Sequence, residues 1–584
     1  MLPIQSTPAT ATTTLTATEN LDQQIHAGLA RMTSSLSIAS GLLAATDWAT
    51  HLAVSPGKRL ELLGLAIKQA QQLSLYMAAL VPAGMKQETV EPPVKDRRFA
   101  APEWQEWPFN LLHQSFLLQE QWWCAATHGV WGVEKHHEDL IGFAVRQFLD
   151  MFSPGNQFLT NPTVLQKTRE QHGANLLRGL MNGSEDLQRQ LRNAPIAGTE
   201  NFQVGRNLAI TPGKVILKNQ VMELLQYAPS TKTVFAEPIL IVPAWIMKYY
   251  ILDLSPQNSL IKYLVDQGHT VFCISWKNPG VEERNLSMDD YLQSGFYAAL
   301  DVICSIVPKR QVHAVGYCLG GTLLSIAAAA MARDDDHRLA TLTLLAAQTD
   351  FDEPGELSLF IDESQVSLLE AQMAEAGSLT AAQMAGAFQM LRSYDLLWSQ
   401  LVNQYLMGER SNMNDLMAWN ADATRMPARM HSQYLRRLFL NNDLSNGRYS
   451  VAGKFVSLGD ITTPTFMVGT VTDHVAPWRS VYKLHYLNSA EITFVLTSGG
   501  HNAGIVSPPG HPHRHYQIMT SAAGAAYISP DEWLGKAPDV EGSWWPAWQQ
   551  WLQARSGAKI KPPQLGDQAY PVLADAPGSY VLEK

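Results

Sequence analysis

Val312-His313-Ala314-Val315-Gly316-Tyr317-Cys318-Leu319-Gly320-Gly321 is the stretch on which the reading of this chain turns. The apolar run from Val312 to Gly316 predicts a strand, and Leu323, Leu324, Ile326 and the alanines around them predict a helix. The glycines between leave room for a turn so tight that side chains flanking Cys318 would collide with strand or helix. Strand, sharp turn and helix together make a nucleophile elbow, here with cysteine where G-x-S-x-G carries serine. Cys318 would then project above the sheet at a helix N-terminus, where unpaired N–H groups favour negative charge. The Leu319 N–H would supply half of an oxyanion hole. A buried structural cysteine fits the same residues, so the motif needs partners.

Those partners lie downstream. Pro464 to Gly469 reads as a strand with Thr472-Asp473-His474 at its C-terminal end, where α/β sheets place functional groups. Ile492 to Leu496 reads as a last strand leading into Ser498-Gly499-Gly500-His501-Asn502. Cysteine, acid and histidine thus follow one another in the chain order of an α/β-hydrolase fold, each just after a strand. In this reading His501 takes the Cys318 proton and the thiolate attacks a thioester carbonyl. Asp473 either orients the imidazole or helps deprotonate an incoming hydroxyl. Cysteine suits such chemistry because thioester exchange is nearly thermoneutral and keeps the acyl group activated for later transfer to a hydroxyl.

Around this core the chain divides by texture. Residues 1–20 are expected to be a flexible tail, since Thr/Ala/Ser repeats bury too little apolar surface to offset ordering entropy. Residues 21–195 read as a helical N-terminal domain. Ser55-Pro56 serves there as a cap and first-turn pair ahead of Leu60, Leu63, Ile67 and Leu75, which read as core-facing. Trp104, Trp107, Phe109, Phe116, Trp122 and Trp123 are read as packing. From 196 to 584 short β-branched runs alternate with helical stretches, predicting a mainly parallel sheet. Its strands are expected at 239–242, 270–275, 312–316, 340–345, 465–468 and 492–496. A helical insertion at about 355–433 reads as a cap beside the active edge. Trp544, Trp545, Trp548 and Trp551 read as an amphipathic helix folded back on the body.

Composition narrows the function. Charged residues make up 16% of the 584 residues, which suits work beside an apolar phase. Lys and Arg (43) are outnumbered by Asp and Glu (53), so the chain lacks the electrostatic footprint of a nucleic-acid binder. Four cysteines without CxxC or zinc-ligand spacing fit a reducing compartment rather than a disulfide framework. Lacking a secretory signal or a long uncharged apolar span, the chain is expected in the cytoplasm without a transmembrane segment. No metal or cofactor is expected, and His511, His513 and His515 read as a solvated loop. Asp253 either faces the site or caps a helix start, and His474 either supports the site or satisfies a loop carbonyl.

These residues together resemble the polyhydroxyalkanoate synthases, or poly(3-hydroxybutyrate) polymerases. The likeness rests on Asp96-Arg97-Arg98-Phe99, Tyr249-Tyr250-Ile251-Leu252-Asp253-Leu254, Ser275-Trp276-Lys277-Asn278-Pro279, Gly316-Tyr317-Cys318-Leu319-Gly320-Gly321, Asp473-His474-Val475-Ala476-Pro477-Trp478 and Gly500-His501. Length and the ending Gly542-Ser543-Trp544-Trp545-Pro546 look most like the class I enzymes. The resemblance implies polymerisation of (R)-3-hydroxyacyl-CoA into polyester with release of CoA, by a homodimer associated with polyester granules. It also implies that Cys318 carries the acyl chain, His501 activates it and Asp473 serves the hydroxyl of the next monomer. The insertion would gate entry and contribute to dimerisation. Family members often read Pro-Pro-Trp-Ile-Asn-Lys where this chain has Pro243-Ala244-Trp245-Ile246-Met247-Lys248, a loop expected to offer the Ile246 N–H as second oxyanion donor. Two other readings stand beside this one: an acyl-CoA thioesterase or related cysteine hydrolase with water as acceptor, and a non-catalytic granule coat protein.

Overall fold

The computed structural model describes residues 17–81, 90–192, 194–380, 383 and 397–584. Its first part is helical: α1 (Ala17–Met32), α2 (Ile38–Ala53), α3 (Pro56–Leu80), α4 (Phe109–Thr127), α5 (Lys135–Met151), α6 (Pro162–Glu170) and α7 (Ala174–Leu191). The tail expected at 1–20 falls mostly outside the described residues, but α1 already includes Ala17–Asn20. Helix begins there as the N-terminal turn of an element that packs on the helix Glu363–Ala376 of the insertion, with Ala27 and Ala30 buried while Leu21 and Ile25 stay exposed.

One expectation for α3 is overturned. Leu60, Leu63, Ile67 and Leu75 face solvent, and the buried residues are Leu62, Gln69, Tyr76 and Leu80. Buried positions seven apart make a narrow seam, along which α3 packs against α4. The broader apolar stripe, with the right period for a core, lies on the side that nothing among the described residues covers. Pro56 does open the helix, though the Ser55 hydroxyl donates to His51 O at 2.7 Å instead of capping. The aromatic segment packs as expected at Phe99, Trp104 and Phe116, whereas Trp107 is exposed.

Among the described residues the rest is built on thirteen strands: β1 (Gly213–Lys218), β2 (Met222–Tyr227), β3 (Ile239–Val242), β4 (Val271–Trp276), β5 (Val312–Tyr317), β6 (Leu339–Leu345), β7 (Ser450–Val451), β8 (Lys454–Phe455), β9 (Thr465–Thr470), β10 (Ile492–Thr497), β11 (His515–Ser521), β12 (Asp539–Glu541) and β13 (Ala574–Asp575). Apart from a small β7–β8 ribbon they form one sheet, in the order β12-β11-β10-β9-β6-β5-β3-β4-β2-β1-β13. The six central strands, β4 to β10 in that order, are mutually parallel, and they are the six expected from sequence. Antiparallel strands extend both edges.

Alternate residues of each central strand feed two cores. Leu240, Val242, Phe272 and Ile274 pack beneath the helices Ala298–Ile306 and Leu319–Arg333. Ile239, Ile241, Val271 and Cys273 pack on the opposite face, beneath Leu260–Asp266 and the C-terminal helix Trp545–Gln553. Helices on both faces of a parallel sheet leave its strands dry on both sides, hence their unbroken apolar runs. Between β6 and β9 lies the helical insertion. Its last helix, Ala428–Tyr434, continues as a wider π turn, Leu435–Leu440, past the boundary expected at 433. Among the described residues no helix is long and apolar enough to cross a membrane.

Candidate active site

β5 ends at Tyr317 and the helix starting at Leu319 turns back over it, which leaves Cys318 at φ 52°, ψ −124°. That left-handed conformation is costly for any residue with a side chain, and close packing enforces it. A Cβ on Gly316 would lie 2.3 Å from Gly321 Cα, and one on Gly320 would lie 2.0 Å from Val242 O. The elbow therefore sits directly on β5 and on the start of the loop after β3. Leu319 N–H, in the first turn of its helix, has no partner within that helix. Leu319 and Ile246 both line the cavity into which Cys318 opens. Across the loop, Thr424 from the insertion donates its N–H to Ile246 O at 3.1 Å and its hydroxyl to Trp245 O at 2.6 Å. The segment bearing Ile246 is thereby held in place.

Asp473 and His501 come together at the ends of the adjacent strands β9 and β10. His501 Nδ1 donates to Asp473 Oδ2 at 2.8 Å. The same oxygen accepts from Thr470 Oγ1 at 3.0 Å, while Oδ1 accepts the N–H groups of Val475 and Ala476 at 2.9 and 2.8 Å. Burial alone would raise the Asp473 pKa, but the imidazole and the two amides outweigh it and hold the carboxyl below its ordinary value. Burial alone would lower His501, yet Asp473 on one side and the Cys318 sulfur on the other push it well above the usual imidazole range. This arrangement favours an imidazolium between a carboxylate and a sulfur. Two indoles fix the loop that carries the histidine: Trp544 Nε1 donates to Gly504 O and Trp545 Nε1 to Ile505 O, each at 3.0 Å. The tryptophan-rich C-terminal helix is packed onto the body, as expected, and in doing so braces the site.

The cavity in front of Cys318 has a volume of about 620 Å³ and mostly apolar walls, among them Phe351, Phe360, Leu369, Met426 and Phe439. His501 and Asp473 are not in its wall and reach it through the sulfur. Two residues left open between a site role and a structural one lie outside the cavity wall. Asp253 is buried on the opposite face of the sheet, near Tyr249 and Cys273, and accepts from Thr211 Oγ1 at 2.5 Å and Ser259 Oγ at 2.6 Å. It closes no part of the cavity, because the turn Tyr249–Leu252 carries the chain back under the sheet edge. His474 is also absent from the cavity wall, and its carbonyl receives the Glu356 N–H at 3.4 Å, joining the Asp473 loop to the insertion.

Sequence reasoning missed other residues. Tyr317 lies 5.6 Å from His501, ring centre to ring centre, and donates its hydroxyl to Asn502 Oδ1 at 2.6 Å. Both flank residues already singled out, so their place beside the nucleophile and the histidine was the available signal. His431, buried in the cavity wall and pushed down to about 4 by burial, carried no such signal, and neither did Arg31, Ser34, Ser35 and Leu36.

Residues 95–264 match the family described as poly-beta-hydroxybutyrate polymerase (PhaC) N-terminus, residues 16–58 match poly-beta-hydroxybutyrate polymerase N terminal, and residues 237–508 match the alpha/beta hydrolase fold. The chain is 42% identical over 501 residues to a poly(3-hydroxyalkanoate) polymerase of Methylorubrum extorquens, covering 85% of this chain and 82% of that one. It is 40% identical over 507 residues to the poly(3-hydroxyalkanoate) polymerase subunit PhaC of Rhizobium meliloti, covering 85% and 82%. With the corresponding subunit of Cupriavidus necator it shares 37% over 502 residues, covering 84% of each.

Proposed function

The chain belongs to the poly(3-hydroxyalkanoate) polymerase family, and from that premise we propose that Cys318, His501 and Asp473 divide its chemistry among them. It is an acyltransferase that polymerises hydroxyacyl units into polyester. Cys318 gives its proton to His501 and attacks the thioester carbonyl of the (R)-3-hydroxyacyl-CoA. The oxyanion that forms faces the N–H groups of Leu319 and Ile246. Collapse of the intermediate expels CoA, whose sulfur takes the proton from His501, and leaves the acyl group on Cys318. The neutral imidazole then accepts a proton from the hydroxyl that attacks this thioester. An oxyester bond forms, the Cys318 sulfur leaves, and the downhill change from thioester to oxyester drives elongation.

The observation that carries this reading is the His501–Asp473 hydrogen bond, with the carboxylate fully engaged and the Cys318 sulfur near enough to help raise the imidazole pKa. All four bonds accepted by Asp473 come from Thr470, Val475, Ala476 and His501. The acid therefore acts on the incoming hydroxyl through His501, orienting it and stabilising its charge, instead of taking the proton itself. No cofactor enters this scheme.

The polymerase works in the cytoplasm as a homodimer on the surface of its polyester granule. Exposed apolar residues of the helical region support this, including Leu60, Leu63, Ile67 and Leu75 on α3 and Leu177, Leu180 and Leu187 on α7. The deciding experiment incubates purified protein with 3-hydroxybutyryl-CoA and follows CoA release together with the acyl product. Insoluble polyester is expected. Free acid alone would mean that water is the acceptor and the chain a thioesterase, and a Cys318→Ala variant that still released CoA would remove the nucleophile.

A further inference from the structure

The cavity in front of Cys318 is not walled by the sheet and the insertion alone. The end of α1 and the turn that joins it to α2 bring Arg31, Ser34, Ser35 and Leu36 into the cavity wall. These residues lie far from Cys318 in sequence, so their placement depends on specific contacts, and the structure has them. Ser34 and Ser35 are consecutive non-glycine residues in left-handed backbone, at φ 54° and 68°, which L side chains rarely adopt. Three glutamines of the insertion hold the turn there. Gln365 Nε2 donates to Ser35 O at 2.5 Å, Ser35 Oγ donates to Gln372 Oε1 at 2.9 Å, and Gln383 Nε2 donates to Ser35 Oγ at 3.0 Å. Ser37 N–H donates back to Gln365 Oε1 at 2.8 Å. On either side Arg31 pairs with Glu375 and the Ser40 hydroxyl with Asp362. Gln365 and Gln372 are buried one heptad apart on the helix Glu363–Ala376, so the turn seats along one ridge.

From this geometry we infer that the α1–α2 turn is a specificity-determining wall of the acyl site, with Leu36 as the residue that limits the length of the 3-hydroxyacyl side chain accepted. The inference rests on Cys318 being the residue that carries the acyl group. Leu36 is the one large apolar side chain the turn contributes to the cavity, and it is joined there by Leu357, Phe360, Ile361 and Leu369. A surface of this kind discriminates by volume: a side chain that fits gains burial, and one that is too long must displace a wall fixed by hydrogen bonds.

The test compares kcat/KM for CoA release with 3-hydroxybutyryl-CoA and 3-hydroxyhexanoyl-CoA in wild type, Leu36→Ala and Leu36→Phe. Leu36→Ala should raise the ratio in favour of the longer substrate by about threefold or more, and Leu36→Phe should lower it by a similar factor. Leu42→Ala, at an exposed position of α2 outside the cavity, should leave it unchanged. Because the readout is a ratio within one preparation, partial loss of folded protein cancels, and if one Leu36 variant does not fold the other carries the test. A ratio unmoved in whichever Leu36 variant is active overturns the inference. So does equal loss on both substrates at an unchanged melting temperature. Cys318→Ala measured in parallel separates the two failures: persistent CoA release there removes the catalytic reading itself, whereas silence there with an unmoved ratio removes only the role of the turn.

Discussion

Replacing Gly320 by alanine tests whether close packing at the elbow sets the geometry of the oxyanion site. The added Cβ would lie 2.0 Å from Val242 O, 2.6 Å from Pro243 O and 2.7 Å from Pro243 C, all backbone atoms that no rotamer change can move aside. Ordinary contact begins near 3.4 Å, so the helix starting at Leu319 and the loop starting at Pro243 must separate by about 1.4 Å. That gap opens between the segments that carry the Leu319 and Ile246 N–H groups. A misplacement of about 1 Å in a reacting constellation costs roughly a hundredfold, and overpacking of this sort costs about 1–3 kcal/mol in stability. The expected result is CoA release from 3-hydroxybutyryl-CoA lowered by about a hundredfold or more, with a lower melting temperature. Gly535→Ala is the control: nothing lies within 4 Å of its added Cβ in the helix Pro530–Lys536, so activity should not change. Activity of Gly320→Ala within threefold of wild type would show that the elbow tolerates the separation and would refute the packing argument.

Asp473→Asn should lower CoA release by about a hundredfold to ten-thousandfold, since the amide cannot stabilise the imidazolium; titrating activity and melting together checks this. In wild type the depressed Asp473 carboxyl contributes stability that is present above about pH 4 and lost as pH falls through its folded-state value, and the variant should lack that part of the acid transition. Lys248 gives the opposite kind of signature. Burial lowers it to about 8, with its ammonium donating to Tyr580 O and Glu583 O, so between about pH 8 and 10 the unfolded chain holds the extra proton and stability rises with pH. The melting-temperature difference between wild type and Lys248→Met should therefore move in favour of wild type across that interval, and a flat difference would remove the assignment. Arg98→Met should destabilise the helical region by about 3 kcal/mol or more, because Arg98 lies against Asp96, Glu120 and Asp150 at 2.9, 2.5 and 3.7 Å. Limited proteolysis of residues 90–192 would report it.

The central sheet was legible because its strands are buried on both faces and need unbroken apolar runs, which survive in the sequence without reference to any partner. Edge strands were not legible: Lys214, Glu223 and Gln517 put polar residues within β1, β2 and β11, and only pairing with neighbours reveals them as strands. In the site, the order Cys318, Asp473, His501 could be read because each residue follows a strand of the parallel sheet, whose C-terminal ends converge. Asp253 also follows such a strand, but the turn after it carries the carboxylate to the far face.

By itself, then, the sequence determined what local sterics and burial dictate: the elbow around Cys318, the six parallel strands and the residues at their ends. Tertiary structure alone decided what depends on a partner distant in the chain. The apolar stripe of α3 has the period of a core helix yet faces outward, since period records amphipathicity and not what covers the face. The turn at Ser34 and Ser35 reached the cavity for the same reason, through glutamines more than 300 residues away whose hydrogen bonds leave no periodic trace in the chain.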